Sequence, residues 1–110
     1  PIYLQIIMYV KRGAVSGAVA DGDELPSRRV LSALLGVNPN TVQKAYRMLE
    51  DEGLVQSRSG AKSCMVLDAE KISRIRSELT EHDARAAVTA MKQMGLTREE
   101  AKRLIDEYWG

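Results

Sequence analysis

Between two amphipathic stretches the chain leaves only Gly36, Val37 and Asn38 for a change of direction. Before them, Val30, Leu31, Leu34 and Leu35 fall at i, i+1, i+4 and i+5, the spacing of one helix face. After them, Val42, Ala45, Tyr46 and Leu49 fall at i, i+3, i+4 and i+7, so a second helix also buries one face. Ser27, behind Pro26, is an N-cap for the first helix, and Gly36 accepts the left-handed conformation that closes it. Asn38 caps the second. Pro39 stands at the first helical position, where no N–H bond is lost, and Gly53 ends the helix. Two helices joined by so short a turn must pack across one another, which is the helix-turn-helix arrangement.

The outer face of the second helix is unusual. It carries Asn40, Thr41, Gln43, Lys44 and Arg47, where an ordinary solvated helix would alternate Glu and Lys. At about 100° per residue, Asn40, Lys44 and Arg47 lie nearly opposite Val42, with Gln43 beside them. Charge gathers in the same window. Ser27 to Leu67 holds Arg28, Arg29, Lys44, Arg47, Arg58 and Lys62 against Glu50, Asp51 and Glu52, a net +3 on a chain of total +1. A local basic patch on a near-neutral chain is compatible with phosphate binding.

The flanks complete the architecture. From Ile2 to about Gly17, Tyr3, Ile7, Val10 and Ala14 form one helical stripe. "ADGDELP" is turn-like and leaves room for a short strand at Glu24–Leu25. Leu54, Val55 and Ser57 lead into a turn at Ser59–Gly60, and Cys64, Met65, Val66 and Leu67 lead out, which makes a hairpin. Beyond it, Ile72, Ile75 and Leu79 form a stripe, and Ala84 to Met94 forms a second helical segment stopped by Gly95. Thr97 with Glu100 is a capping box for a last helix presenting Ala101, Leu104, Ile105 and Tyr108. The expected fold is mostly α with a small β-hairpin. A winged helix-turn-helix over residues 1–67 is followed by a short helical dimerisation tail over 68–110.

Such a tail has too little surface to bury its own stripes. Ile72, Ile75, Leu79, Met91, Met94, Leu104, Ile105, Tyr108 and Trp109 are therefore expected at the interface with a second copy of the chain. The alternative is a tail folded back on the first helix of its own chain.

Composition narrows the classes further. With 45% hydrophobic and 28% charged residues, the chain is of the globular class. No apolar run approaches the ~20 residues of a membrane span, so no membrane partner is expected. The apolar start lacks the charge order and cleavage site of a signal peptide. The lone Cys64 excludes an internal disulfide and suits a reducing cytoplasm. Cys64 reads as a buried hairpin residue, Tyr46 as core, and the single His82, between Glu81 and Asp83, as a solvated residue. No nucleophile–base pair, metal spacing or phosphate loop is present, so neither an enzyme nor a cofactor is expected.

The remaining reading is double-stranded DNA. A helix fits the major groove and offers its N-terminal side chains to base edges. Asn40, Thr41 and Gln43 are the candidate base readers, with Lys44 and Arg47 nearer the phosphates. The N-terminal N–H groups of the two helices, at Ser27 and Asn38, favour a phosphate, and Arg28 is a candidate phosphate partner. A competing use of the same fold is a protein-interaction module. The Asn/Gln/Lys/Arg face argues against it, because protein interfaces favour apolar and aromatic centres.

These residues resemble the GntR family of bacterial transcription regulators. The resemblance rests on "PIYLQI", on "GDELPSRRVLSALLGVNPNTVQKAYRMLEDEGLV" and on the wing "SRSG", and covers residues 1–67. The "VNPNTV" wording and the short helical tail resemble the YtrA subfamily. The resemblance implies a homodimeric repressor, often of a transporter operon and its own gene. It implies that Arg29 reads DNA and that Arg58 and Gly60 approach the minor groove. It also implies response to a small-molecule effector, placed between tail and body. The wing departs from the family pattern. Lys62 and Cys64 stand where a second Gly and an aromatic residue are usual, which leaves the shape of the turn open and offers Lys62 to a phosphate. Some relatives carry a pyridoxal-phosphate enzyme-like domain after this motif. The sequence up to Gly110 holds none, which keeps the expectation of a non-enzyme.

Overall fold

Among the described residues, five helices and three short strands follow in the order α1 (Ile2–Ser16), β1 (Glu24–Leu25), α2 (Arg28–Leu35), α3 (Pro39–Asp51), β2 (Val55–Ser57), β3 (Ser63–Met65), α4 (Ala69–Gln93) and α5 (Arg98–Tyr108). The structure is a computed structural model that describes residues 1–58 and 62–110. The turn residue Gly60 therefore lies outside the described residues.

The local signals around the tight turn are all used. Ser27 Oγ accepts the Val30 N–H at 3.1 Å, and Asn38 Oδ1 accepts the Asn40 N–H at 2.8 Å. Gly36 sits at φ 67°, and the Val37 N–H closes the end of α2 on the Ser32 carbonyl at 3.1 Å. A side chain at that backbone conformation is strained. Gly36→Ala should lower stability by about 1 kcal/mol, read as a lower urea midpoint at unchanged slope.

The hairpin gains a third strand. Strand order is β1-β3-β2 with β3 central, and both pairings are antiparallel. Glu24 lies opposite Cys64 and Leu25 opposite Ser63. Val55 lies opposite Met65 and Ser57 opposite Ser63. Two further bonds extend the seam, Gly22 N–H to the Met65 carbonyl and Met65 N–H to the Asp23 carbonyl, each 2.8 Å. The "ADGDELP" segment thus ties the base of the wing to the helices. Cys64 is half-buried in that seam.

Helix α3 is the hub. Val42, Ala45 and Leu49 are completely buried and share the core with Ile6, Ile7, Val10 and Ala14 of α1, with Leu54 just after α3, and with Val55 and Met65 of the strands; α3 packs on α1 and β2. Lys11 is buried as well, and its Nζ donates to Glu52 Oε1 at 2.9 Å, pinning α1 to the end of α3. A buried ammonium needs such a partner.

The expected apolar face of α2 is corrected. Val30 is 50%, Leu34 73% and Leu35 51% exposed, and the residue that α2 buries is Ser32. The helix is eight residues long and packs on α3, not along α1, so a small residue sits at the contact and the leucines are left at its edge.

The tail is corrected too. The two segments expected around residues 72–79 and 84–94 are one helix, Ala69–Gln93. Glu81, His82 and Asp83 interrupt the apolar stripe but include no Gly or Pro, and Arg85 pairs with Glu81 at 2.8 Å one turn away. The chain divides into two compact units, residues 1–76 and 77–110. The first turns of α4 thus belong to the first unit, where Ile75 is buried and Lys71 Nζ donates to the Gly53 carbonyl at 2.7 Å. In the second unit, Gly95 turns the chain at φ 77° and the Thr97–Glu100 capping box is fully formed. Helix α5 buries no residue. No helix among the described residues is long and apolar enough to cross a membrane.

Candidate nucleic-acid interface

The polar row of α3 is on the surface. Asn40, Lys44 and Arg47 are exposed, while Thr41 and Gln43 are half-buried at its edge. Asn40 sits in the first turn, where a major-groove helix meets base edges first.

Helix α2 joins this row through one contact. Arg28 Nη1 donates to Gln43 Oε1. The bond fixes the carboxamide and leaves its NH2 group to donate to a base acceptor. Arg29 is exposed on the same turn of α2. The wing joins on the other side. A cleft of about 240 Å³ is lined by Arg28, Gln43, Arg47, Glu50, Ser57 and Lys62 among others, so three cations from α2, α3 and the wing share one depression. Glu50 Oε2 accepts from Ser57 Oγ at 2.6 Å, which anchors the wing strand to α3. Arg58 and Lys62 are exposed, and the Arg58 N–H donates to the Lys62 carbonyl at 2.7 Å, closing the base of the wing.

Two contributors escaped sequence reasoning. The first is Tyr3, which periodicity assigns to the core stripe of α1. The centroid of its ring instead lies 4.0 Å from Lys44 Nζ, a cation–π contact that brings the start of α1 to the polar row. Only tertiary packing brings the pair together, and no local signal marks it. The second is the hydroxyl of Tyr46. The ring is core, at 7% exposure, as its position beside Val42 implies. Its hydroxyl donates to the Pro26 carbonyl at 2.7 Å, just before the turn that carries Ser27, Arg28 and Arg29. Tyr46 is thus a positioning residue that holds α2 against α3.

Burial pushes the Tyr46 phenol from 10.0 up to about 12. The folded state favours the neutral phenol, so its contribution is complete below the unfolded value. It is lost as pH rises from about 10 towards about 12. Tyr46→Phe should cost about 1 kcal/mol at neutral pH and remove that segment of the alkaline loss, measured by urea unfolding at a series of pH values.

Comparison with known proteins agrees with this geometry. Residues 2–63 match the family of bacterial regulatory proteins, gntR family. The chain is 37% identical over 100 residues to the HTH-type transcriptional regulator YhcF of Bacillus subtilis (strain 168), covering 91% of this chain and 83% of that protein. It is 47% identical over 60 residues to the HTH-type transcriptional repressor YtrA of the same organism, covering 54% of this chain and 46% of that one. Among solved structures, a GntR family transcriptional regulator from Listeria monocytogenes superposes with a TM-score of 0.81 at 28% identity, over 97% of this chain and 94% of the other. The chain belongs to the GntR family: it is a DNA-binding transcription regulator with a winged helix-turn-helix, not an enzyme.

Proposed function

We propose that the chain acts as a homodimeric cytoplasmic repressor of its own operon, a transporter operon as the family resemblance implies. The observation that carries this reading is the surface row Asn40, Thr41, Gln43, Lys44 and Arg47, joined by Arg28 from α2 and Lys62 from the wing. In the proposed complex α3 lies in the major groove. Asn40, Thr41 and Gln43 meet base edges, with Arg29 reading from α2. Arg28, Lys44, Arg47 and Lys62 neutralise phosphates, Arg58 approaches the minor groove from the wing, and the helix N-termini at Ser27 and Asn38 add N–H groups. The relative YtrA is named a repressor, which supports repression; the proposed mechanism is occlusion of the promoter by the bound dimer.

A second copy is proposed to cover the tail. Met94 is 71%, Ile105 46%, Tyr108 79% and Trp109 87% exposed, more apolar surface than so small a unit normally leaves in water. Met91 and Leu104 flank them, half-buried. Ile75 and Leu79 are already buried within the chain and Ile72 is half-buried, so these three offer little surface to a second copy. Replacing Ile105 and Trp109 together by Ala should weaken self-association by about tenfold or more in sedimentation equilibrium, with helicity retained.

A nuclease footprint on the duplex upstream of the chain's own gene tests the whole reading. Two protected half-sites about one helical turn apart, or a multiple of it, are expected, both lost with Asn40→Ala. One protected patch without symmetry, or protection indifferent to Asn40→Ala, would contradict it.

A further inference from the structure

Helices α1 and α2 each pack on α3 and leave a space between themselves. That space is a cavity of about 690 Å³, within the range of small-molecule sites. Its walls are chiefly Ile6 and Val10 of α1, Leu31 and Leu35 of α2, and Tyr46 of α3, with Tyr9 and Leu34 at the mouth. Tyr9 is 81% exposed, which leaves an aromatic face in water at the entrance. The charged residues of the lining are both carboxylates, Asp23 and Glu24, and no Lys, Arg or His lines it. Asp23 Oδ2 already accepts the Ala20 N–H at 2.8 Å, whereas the exposed Glu24 carboxylate forms no ion pair among the described residues.

We propose that this cavity binds a small organic cation, an amine or quaternary ammonium with an apolar or aromatic body. The body would replace water against the leucines, contributing about 25 cal/mol per Å² removed from water. The cationic head would meet Glu24, with Tyr9 available for a cation–π contact. Charge decides the class. The carboxylates repel fatty acids and other anions of the same shape. The site lies within the first unit, on the helix that carries Arg28 and Arg29, so an occupant bears on the DNA-facing residues through α2. The proposal stands on the cavity and its charges, not on the operator reading.

The test is a titration of the 15N-labelled chain with three probes of one shape: 4-phenylbutylamine, 4-phenylbutanol and 4-phenylbutyrate. The amine should shift the amides of Tyr9, Val10, Glu24, Leu31 and Leu35 saturably, in the micromolar to millimolar range. The alcohol should bind more weakly and the carboxylate least. Glu24→Gln should weaken the amine by about fivefold and leave the alcohol unchanged, a difference that general unfolding cannot produce. Equal binding of amine and carboxylate, shifts confined to residues 77–110, or no saturable shift would overturn the proposal. So would the same amides shifting with protein concentration alone, which would assign the cavity to a second copy of the chain.

Discussion

Leu49→Ala is expected to destabilise the first unit by about 3 kcal/mol and to lower its Tm by on the order of 15 °C. Leu49 is 0% exposed and belongs to the hub helix, which packs with α1, α2 and β2. Truncation removes a methine and two methyl groups and leaves a void that the neighbours cannot close without moving α1. The informative control is Leu34→Ala. Sequence periodicity places Leu34 on a buried face as firmly as Leu49, but Leu34 is 73% exposed. Its loss should cost about 0.5 kcal/mol or less. Urea unfolding of the two variants side by side measures the difference, and equal losses would mean that α2 is packed as the periodicity alone suggested.

The second large effect is on DNA. Arg29→Ala or Asn40→Ala should weaken operator binding by about 10- to 100-fold per half-site, because each base contact is worth about 1–3 kcal/mol. A dimer loses the contact twice, so the measured change approaches the square of that factor. Specificity should fall with affinity, since a scrambled duplex never made these contacts. Lys62→Ala should behave differently. It removes a phosphate contact, weakens every duplex by a similar factor and lowers the salt slope by about one. Arg28→Ala combines the two, because Arg28 also holds Gln43 in place. Binding curves for the four variants against operator and scrambled duplex separate these outcomes.

Much of this was legible before any coordinates. The caps at Ser27 and Asn38, the glycine at Gly36, the proline at Pro39 and the capping box at Thr97 are short-range devices, and each fixes its own backbone bonds. The α3 faces were equally plain, because a helix that buries Val42 must present Asn40, Lys44 and Arg47 on the other side. Long-range choices were not plain. Periodicity says that Val30 and Leu34 share a face, and it cannot say that Ser32 wins the contact with α3. The polar interruption at Glu81–His82–Asp83 reads as a break until the continuous helix shows that nothing in it stops one. The pairs Tyr3–Lys44, Arg28–Gln43 and Tyr46–Pro26 join elements across the fold, and their geometry exists only once those elements have packed.

The central claim is that the polar face of α3 reads DNA sequence. The most direct measurement is fluorescence anisotropy of the full chain with the duplex upstream of its own gene and with a scrambled duplex, across a salt series. Tight, sequence-preferring binding is expected, falling steeply with salt as phosphate counterions are released, with a preference that Asn40→Ala abolishes. Equal affinity for both duplexes, unchanged by Asn40→Ala, would contradict it.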